Sequence, residues 1–289
     1  MSPAARGARV RARVPARRIT RARVCAAICL LVLGIALLGP LLAWASPTEQ
    51  VGAPFEGPGA TLPLGTDFLG RDLAARVLHG GRLVLGVAAG ATVLATALGL
   101  VGGVLLGLMS ERAAEPVMRA VDLLAVFPSL LLLLLFATGA PGSDLAVLLA
   151  VGLACAPFSI RVIRTVTRQT AAGGYVRTAR ARGDSAWALA RYDIWPNIAG
   201  TVLADAGLRF VAAVHLAATA GFLGLGRGAP AAHWGRMIRE NLPGAALNPL
   251  PVLLPAALLT AFAVAVNLLA DHAAARRAGP AGPSGAPHA

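Results

Sequence analysis

The ionisable residues inside the long apolar stretches are the first candidates for chemistry in this chain of 289 residues. Asp205, Arg209 and His215 fall within one such stretch, and an ionisable group in lipid is costly unless it is paired or lines an internal pathway. Because Asp205 and Arg209 are one helical turn apart, the spacing favours a structural ion pair over a proton or ion path. His215 is a weak candidate metal ligand, since a lone histidine is more often a hydrogen-bonded packing residue.

The motifs of enzymatic chemistry are missing from the sequence. It contains no G-x-S-x-G nucleophile, no H-E-x-x-H zinc motif, no phosphate-binding P-loop and no paired catalytic carboxylates. Cys25, Cys29 and Cys155 show no C-x-x-C or Cys/His spacing, so we expect them to be small packing residues rather than metal ligands. We therefore expect no catalytic residue, no metal site, no ATPase site and no cofactor bound by this chain.

The composition indicates an integral membrane protein. Hydrophobic residues make up 57% of the chain and charged residues 13%, and the mean hydropathy is +0.70. Apolar runs of about 20 residues are long enough to cross a bilayer. They predict an all-α fold with about six transmembrane helices, at residues 24–44, 83–109, 121–139, 145–163, 198–224 and 250–270.

The distribution of arginine predicts the orientation, because positive residues near span ends are retained in the cytoplasm. All 26 basic residues are arginines, and the formal net charge is +13. If the N-terminus is inside, nineteen arginines lie on the cytoplasmic side and six on the opposite side. Both termini are therefore expected in the cytoplasm, and retention explains the basic charge without a nucleic-acid partner.

The N-terminal region has two interpretations. Its basic residues, its apolar run and the small residues Ala43 and Ala45 are typical of a secretory signal peptide. However, the apolar run at 24–44 exceeds the roughly 7–15 residues of a signal core, which favours a retained first span. The expected division is a disordered basic tail at 1–23, a first transmembrane helix with an outer linker at 24–61, a membrane domain at 62–277 and a disordered tail at 278–289.

The charged segment YVRTARARGDSAWALARYDIWPN, residues 175–197, lies between two predicted spans. Good helix formers at its start predict a short helix that Gly183 closes in a left-handed conformation. Asp184 or Ser185 then caps a second helix, which is expected to stop ahead of Pro196 because proline disfavours helical geometry in the preceding residue. Such an element has three alternative roles: it lies on anionic lipid, it is an inert connector, or it docks into a cleft of a cytoplasmic partner.

A second unusual segment, LPLGTDFLGRDLAARVLHGGRLVLGV, residues 62–87, leads into the second span. We expect Thr66 or Asp67 to cap an amphipathic helix in which Asp72 and Arg76 are one turn apart. This helix would lie in the outer interface of the membrane. Ordinary interfacial packing is the alternative, because nothing in the segment specifies a ligand.

Both segments resemble one known family. Residues 175–197 resemble the EAA loop of binding-protein-dependent ABC importer permeases, and the residues on its pattern positions are Ala179, Gly183, Ile194, Pro196 and Asn197. Arg177 stands where the motif has its glutamate, and Thr178 replaces the first alanine. Residues 62–87 are similar to the HPLGTDxLGRDxxSR segment of the second permease of dipeptide, oligopeptide and nickel importers, and residues 119–135, 221–241 and 266–278 match the same family.

The resemblance implies a type I ABC importer permease fold over residues 62–277, in a multi-pass protein of the bacterial plasma membrane. The implied function is the import of di- or oligopeptides or nickel-type solutes. The implied partners are a homologous second permease, two ATPase subunits that bind ATP and magnesium, an extracytoplasmic solute-binding protein and membrane lipid. The alternative is a receptor or anchor subunit that translocates nothing.

The resemblance also assigns candidate site residues. Contact with the ATPases is expected from Tyr175, Arg177, Ala179, Arg180, Gly183, Asp184, Trp187 and Pro196. An outer interfacial motif that braces the transport path is expected to comprise Gly65, Thr66, Asp67, Gly70, Arg71 and Asp72.

Overall fold

A computed structural model describes residues 16–174, 176, 182–228 and 230–277. Within these ranges the regular elements are helices, with no strand. In chain order they are α1 (Ala16–Leu42), α2 (Leu73–Leu108), α3 (Glu111–Val126), α4 (Ser129–Gly139), α5 (Asp144–Ala171), α6 (Ala186–Ala188), a π-helix (Leu189–Ile194), α7 (Trp195–Leu223), α8 (Trp234–Asn241), a 3-10 turn (Leu242–Gly244) and α9 (Leu250–Arg277).

Five of the described helical stretches are long and apolar enough to cross a membrane. They are Arg21–Leu42, Leu73–Leu108, Asp144–Ala171, Leu189–Leu223 and Leu250–Ala270. These stretches confirm five of the predicted spans and the all-α membrane fold. Their boundaries differ from the apolar runs, most clearly in α2, which begins at Leu73 rather than near residue 83.

The predicted third span, residues 121–139, is not one helix. The axes of α3 and α4 differ by 85° across a short break at Phe127 and Pro128. Pro128 lacks the N–H that would continue α3, and it disfavours helical backbone at Phe127, which is extended. α3 is amphipathic and buries Ala114 and Met118 in a small cluster with α2 and α5. This region crosses the membrane only if the bent pair counts as one broken span.

Glycines line the extensive contact between α2 and α5. They recur at every fourth residue of α2 and face residues of the same spacing on α5: Gly99 on Ser159, Gly103 on Ile163 and Gly107 on Thr167. A Cβ atom added at Gly103 would lie 2.7 Å from the Cβ atom of Ile163. Because apolar burial drives little association between helices in lipid, close backbone packing of this kind holds the two helices together.

α1 packs against α2 and α9 and belongs to the same bundle. Val32 and Ala36 are buried there, as are Cys25 and Cys29, which form no disulfide and serve as core residues. The helix begins at Ala16, so the described part of the predicted tail at 1–23 is helical.

The loops lie at two ends of the bundle. The loop-rich end carries the segments 43–72 and 230–249, between α1 and α2 and between α7 and α9. The arginine-rich end carries residues 182–194 together with the C-terminal ends of α2 and α5. Two ion pairs at this end, Glu111 with Arg168 at 2.5 Å and Asp122 with Arg161 at 2.6 Å, fasten α3 to α5.

Candidate functional site

The outer interfacial motif does not start with a helix. Residues 62–71 form turns, and α2 begins only at Leu73. Asp72 caps this helix by accepting a backbone N–H at 2.9 Å. The expectation that Thr66 or Asp67 caps a helix is therefore wrong, because both side chains are bound by other parts of the loop-rich end.

The turns of the motif hold the linker that precedes it. Gly65 and Gly70 have φ of +73° and +71°, and a Cβ atom on either would run into a carbonyl oxygen of the linker. The hydroxyl of Thr66 donates to the carbonyl of Ala53 at 2.5 Å and accepts the N–H of Glu56 at 2.8 Å. The motif is therefore a folded turn clamped to residues 53–56.

Asp67 is the centre of a buried ion cluster. Its Oδ2 atom lies 2.7 Å from Nη2 of Arg71 and 3.1 Å from Nε of Arg76, and all three side chains are almost fully buried. Its Oδ1 atom accepts the backbone N–H groups of Leu69 and Arg71, each at 2.9 Å. Glu240 of α8 lies 3.3 Å from Nη2 of Arg76. Two carboxylates thus face two guanidinium groups, and the cluster joins the motif to α8.

Two hydrogen bonds fasten α8 to the same corner. Asn241 accepts the backbone N–H of Phe68 at 2.9 Å, and the indole N–H of Trp234 donates to the carbonyl of Val77 at 2.8 Å. Both partners are distant in the chain. Sequence reasoning therefore missed Glu240, Asn241 and Trp234, because no local spacing connects them with the motif.

His233 and Arg236 add buried basic groups at the start of α8. Burial of the ring, and secondarily the charge of Arg236, lower the pKa of His233 to about 4. Burial likewise lowers the pKa of Arg236. Its Nη1 and Nη2 atoms are buried and have no hydrogen-bond partner among the described residues. The imidazole of His233 is therefore neutral at neutral pH, which the sequence had given no reason to expect.

The segment at the arginine-rich end is described at Val176 and from Arg182 onward. Four of its predicted contact residues, Tyr175, Arg177, Ala179 and Arg180, lie outside the described residues. Gly183 has φ of +87°, which confirms the predicted left-handed turn. Asp184 pairs with Arg182 at 3.2 Å, and the hydroxyl of Ser185 accepts the N–H of Ala188 at 3.2 Å. Ser185 is thus the residue whose side chain caps the second helix.

The second helix does not stop ahead of Pro196, as was expected. α6, the π-helix and α7 follow one another without a break. The N–H of Trp195 donates to the carbonyl of Ala190, five residues earlier, in the wider turn of a π-helix. Pro196 lies in the first turn of α7, where a missing N–H costs little. The wider turn therefore carries the helix across the proline.

One face of this segment is anchored and the other is free in the described structure. Ile194 is fully buried against α5 and α7, and Leu189 is also buried. On the other face the side chains of Trp187 and Tyr192 are 76% and 74% exposed. Large exposed aromatic side chains beside a rigid turn are suited to contact with another surface.

The predicted ion pair within the fifth span is confirmed. Nε of Arg209 lies 3.3 Å from Oδ1 of Asp205, and the hydroxyl of Ser159 on α5 donates to Oδ2. The guanidinium group of Arg209 lies over the ring of Phe158, 5.5 Å from its centroid. His215 bonds to a carbonyl of its own helix, as expected of a packing residue. These contacts neutralise the charge of Asp205 in the α5–α7 interface.

No group of three or more histidine, cysteine, aspartate or glutamate residues in the described part of the chain is arranged to hold a metal ion. The described residues form three parts that bear on movement of the helices. These parts are an ion-clamped corner at one end, an exposed helical element at the other, and a continuous helix between them.

Comparisons with known proteins agree with this interpretation. Residues 99–279 match the family described as binding-protein-dependent transport system inner membrane component. A di/tripeptide transport system permease protein, DppC of Pseudomonas aeruginosa, is 32% identical over 84% of this chain and 82% of its own length. A probable D,D-dipeptide transport system permease protein, DdpC of Escherichia coli, is 32% identical over 85% and 83%.

Among solved structures, a chain of the MetNI methionine ABC transporter in inward-facing conformations has a similar fold. Its TM-score is 0.58 at 17% sequence identity, and the match covers 70% of this chain and 95% of that chain. At this identity the likeness concerns the fold alone.

Proposed function

The chain belongs to the family of binding-protein-dependent transport system inner membrane components, and from this membership we propose that it is a permease subunit of an ATP-driven peptide importer. The relatives are named for di- and tripeptides and for D,D-dipeptides, which supports peptides over nickel-type solutes. The alternative is a receptor or anchor subunit that binds the same partners without translocation.

The energy for transport comes from other chains. In this proposal two separate ATPase subunits bind ATP and magnesium, which agrees with the lack of a phosphate-binding loop in this sequence. A second, homologous permease completes the membrane part, and a solute-binding protein delivers the peptide outside. This chain itself catalyses no reaction and binds no cofactor.

The observation that carries the proposal is the continuous helical path from the exposed segment into the membrane. α6, the π-helix and α7 lead from Trp187 at the arginine-rich end to Asp205, which is tied to Ser159 of α5. A displacement of the exposed face is therefore passed to the α2, α5 and α7 contacts. Closure of the ATPases moves this element and opens the path alternately to the two sides of the membrane.

The arginine-rich end lies in the cytoplasm of a bacterium in this proposal, because the positive residues are concentrated there. α1 ends and α9 begins at the loop-rich end, so in this proposal both termini lie inside. α2 and α5 both end at the arginine-rich end, so α3 and α4 together lead the chain from that end to the loop-rich end as one broken crossing. Cysteine labelling of the two termini in intact and opened cells tests this topology.

Transport is tested with the complete complex in proteoliposomes, with ATP inside and binding protein and labelled dipeptide outside. Gly183→Leu forces a side chain into a left-handed conformation, which costs about 1–2 kcal/mol and displaces the exposed face. We expect uptake to be abolished while membrane insertion is retained. Gly57→Leu is the matched control, because its Cβ atom would meet nothing within 4 Å and its backbone is not left-handed.

Two outcomes would contradict the proposal in different ways. Normal uptake by the Gly183→Leu complex would reject the coupling role of the exposed segment. ATPase subunits that never co-purify with this chain would reject the transporter and favour the anchor alternative.

A further inference from the structure

An apolar groove of about 520 Å³ lies at the arginine-rich end, between the last turns of α2 and the segment that enters α7. Val101, Val104 and Leu105 line one side, and Trp187 and Trp195 lie on the other. Arg191 is the one charged residue among the residues that line the groove. The groove thus has an apolar floor with a single cation.

The apolar side chains that line the groove are exposed on the surface of the described structure. Val101 and Leu105 are 61% and 58% exposed, so their side chains suit contact with hydrocarbon rather than water. Trp187 and Trp195 flank the groove near the end of α2, and tryptophan is enriched where membrane meets water. The groove therefore runs from the hydrocarbon region toward the headgroup region.

The charge of Arg191 has no counter-ion within the described part of the chain. Its guanidinium group lies over the ring of Tyr192, 5.9 Å from the centroid. Some arginines at the same end have carboxylate partners, such as Arg161 with Asp122 and Arg182 with Asp184, whereas Arg191 is the one that lies in the groove. Arg191 is therefore available to an anion from outside the chain.

We propose that the groove binds one anionic phospholipid of the cytoplasmic leaflet, with an acyl chain along α2 and its phosphate against Arg191. The leaflet assignment rests on the orientation in the proposed function. From residue 100 to residue 108, α2 rises about 12 Å, which matches the part of an acyl chain next to the headgroup. The lipid phosphate then pairs with Arg191 at the boundary between hydrocarbon and headgroups, as in other basic sites between transmembrane helices.

Such a lipid stabilises the segment that the proposed function couples to the ATPases. Arg191 is part of the π-helix, and Trp195 begins α7 directly after it. A lipid held by both residues braces the exposed segment against α2. The ATPase activity stimulated by the binding protein should therefore fall when anionic lipid is replaced by zwitterionic lipid.

The test uses the complete complex purified from membranes and placed in nanodiscs of phosphatidylglycerol and phosphatidylcholine. Native mass spectrometry counts the phosphatidylglycerol molecules retained after mild delipidation. Arg191→Gln should weaken this retention about fivefold, the effect of one arginine near an anionic surface, and Arg191→Lys should preserve it. Val104→Trp should abolish retention by filling the groove. Arg227→Gln is the control, since it removes an exposed arginine at the loop-rich end.

Equal retention by the wild type and by Arg191→Gln would overturn the proposal. A Val104→Trp complex that loses its second permease but keeps its phosphatidylglycerol would also overturn it, because the groove would then be a protein interface. If Val104→Trp does not assemble, the test uses quenching of tryptophan fluorescence by brominated phosphatidylglycerol. Weaker quenching in Arg191→Gln than in the wild type would support the lipid site, and equal quenching would overturn it. A wild-type complex that retains phosphatidylglycerol but takes up no peptide would instead count against the transport function and leave the lipid site supported.

Discussion

The buried ion cluster at the loop-rich end can be tested by changing Asp67 to asparagine. The substitution removes the negative charge that lies 2.7 Å from Arg71 and 3.1 Å from Arg76, and both guanidinium groups remain buried. Removing one partner of a buried ion pair costs about 3–5 kcal/mol, because the charge left behind has no water to solvate it. Glu240 remains 3.3 Å from Arg76 and limits the loss. We therefore expect about 3 kcal/mol, the lower end of that range.

Asp122→Asn is the matched control for this change. It alters the same chemical group but breaks a pair with Arg161 in which the two side chains are 51% and 52% exposed. An exposed pair contributes about 0–1 kcal/mol. The free energy of unfolding of each variant is measured by titrating the purified chain with sodium dodecyl sulfate in mixed micelles. Tryptophan fluorescence reports the transition, and one of the four tryptophans, Trp234, is buried.

A double variant tests whether the stability lost in Asp67→Asn comes from the unpaired buried charges. In Asp67→Asn/Arg76→Met one of the two stranded cations is removed, so part of the lost stability should return. An Asp67→Asn variant as stable as Asp122→Asn would refute the reasoning, because it would show that water reaches the cluster and solvates the charges.

Three further predictions concern packing and pH. Gly103→Ala should destabilise the fold by about 1–2 kcal/mol, since its Cβ atom meets Ile163 at 2.7 Å. The control is Gly86→Ala in the same helix, whose Cβ atom meets nothing within 4 Å and which should stabilise the fold by up to about 1 kcal/mol. Equal shifts of the melting temperature in the two variants would contradict the close glycine contact between α2 and α5. Because the pKa of His233 is lowered from 6.5 to about 4, its contribution to the free energy of unfolding is fully present above pH 6.5. Below that pH the unfolded chain binds more protons than the folded chain, so the free energy of unfolding falls by up to about 1.4 kcal/mol per pH unit until pH 4. His233→Gln should remove this pH dependence. An unchanged pH dependence would show that His233 is not its source. Ser159→Ala should cost about 1–2 kcal/mol of unfolding free energy by leaving a buried carboxylate oxygen without its donor, and denaturant unfolding with no measurable loss would argue against that bond.

Local features were predicted well because their causes are close together in the chain. Apolar runs of span length identified five of the crossing helices, and a glycine after a run of helix formers identified the left-handed turn at Gly183. The pairing of Asp205 with Arg209 followed from one helical turn of spacing. In each case neighbours within a few residues decide the geometry, so distant contacts are not needed to infer it.

One broken span and two wrong expectations show where such inference ends. The span at 121–139 is broken because Pro128 bends the chain within an apolar run. Asp67 does not cap a helix because two arginines and two backbone N–H groups bind its carboxylate in a turn. The helix passes Pro196 because a π-turn precedes it. Each outcome depends on which of several permitted local geometries the surrounding packing stabilises.

The sequence by itself determined that this chain is a membrane protein, the approximate positions of its spans, and the family that it resembles. Hydropathy and short motifs are properties of neighbouring residues. Only the tertiary structure decided that Glu240 shares the arginines of the Asp67 cluster, that His233 is buried and neutral, and that Arg191 lies in an apolar groove. These arrangements require segments far apart in the chain to meet. Their energies come from desolvation and charge pairing at short distance, which spacing along the chain does not reveal.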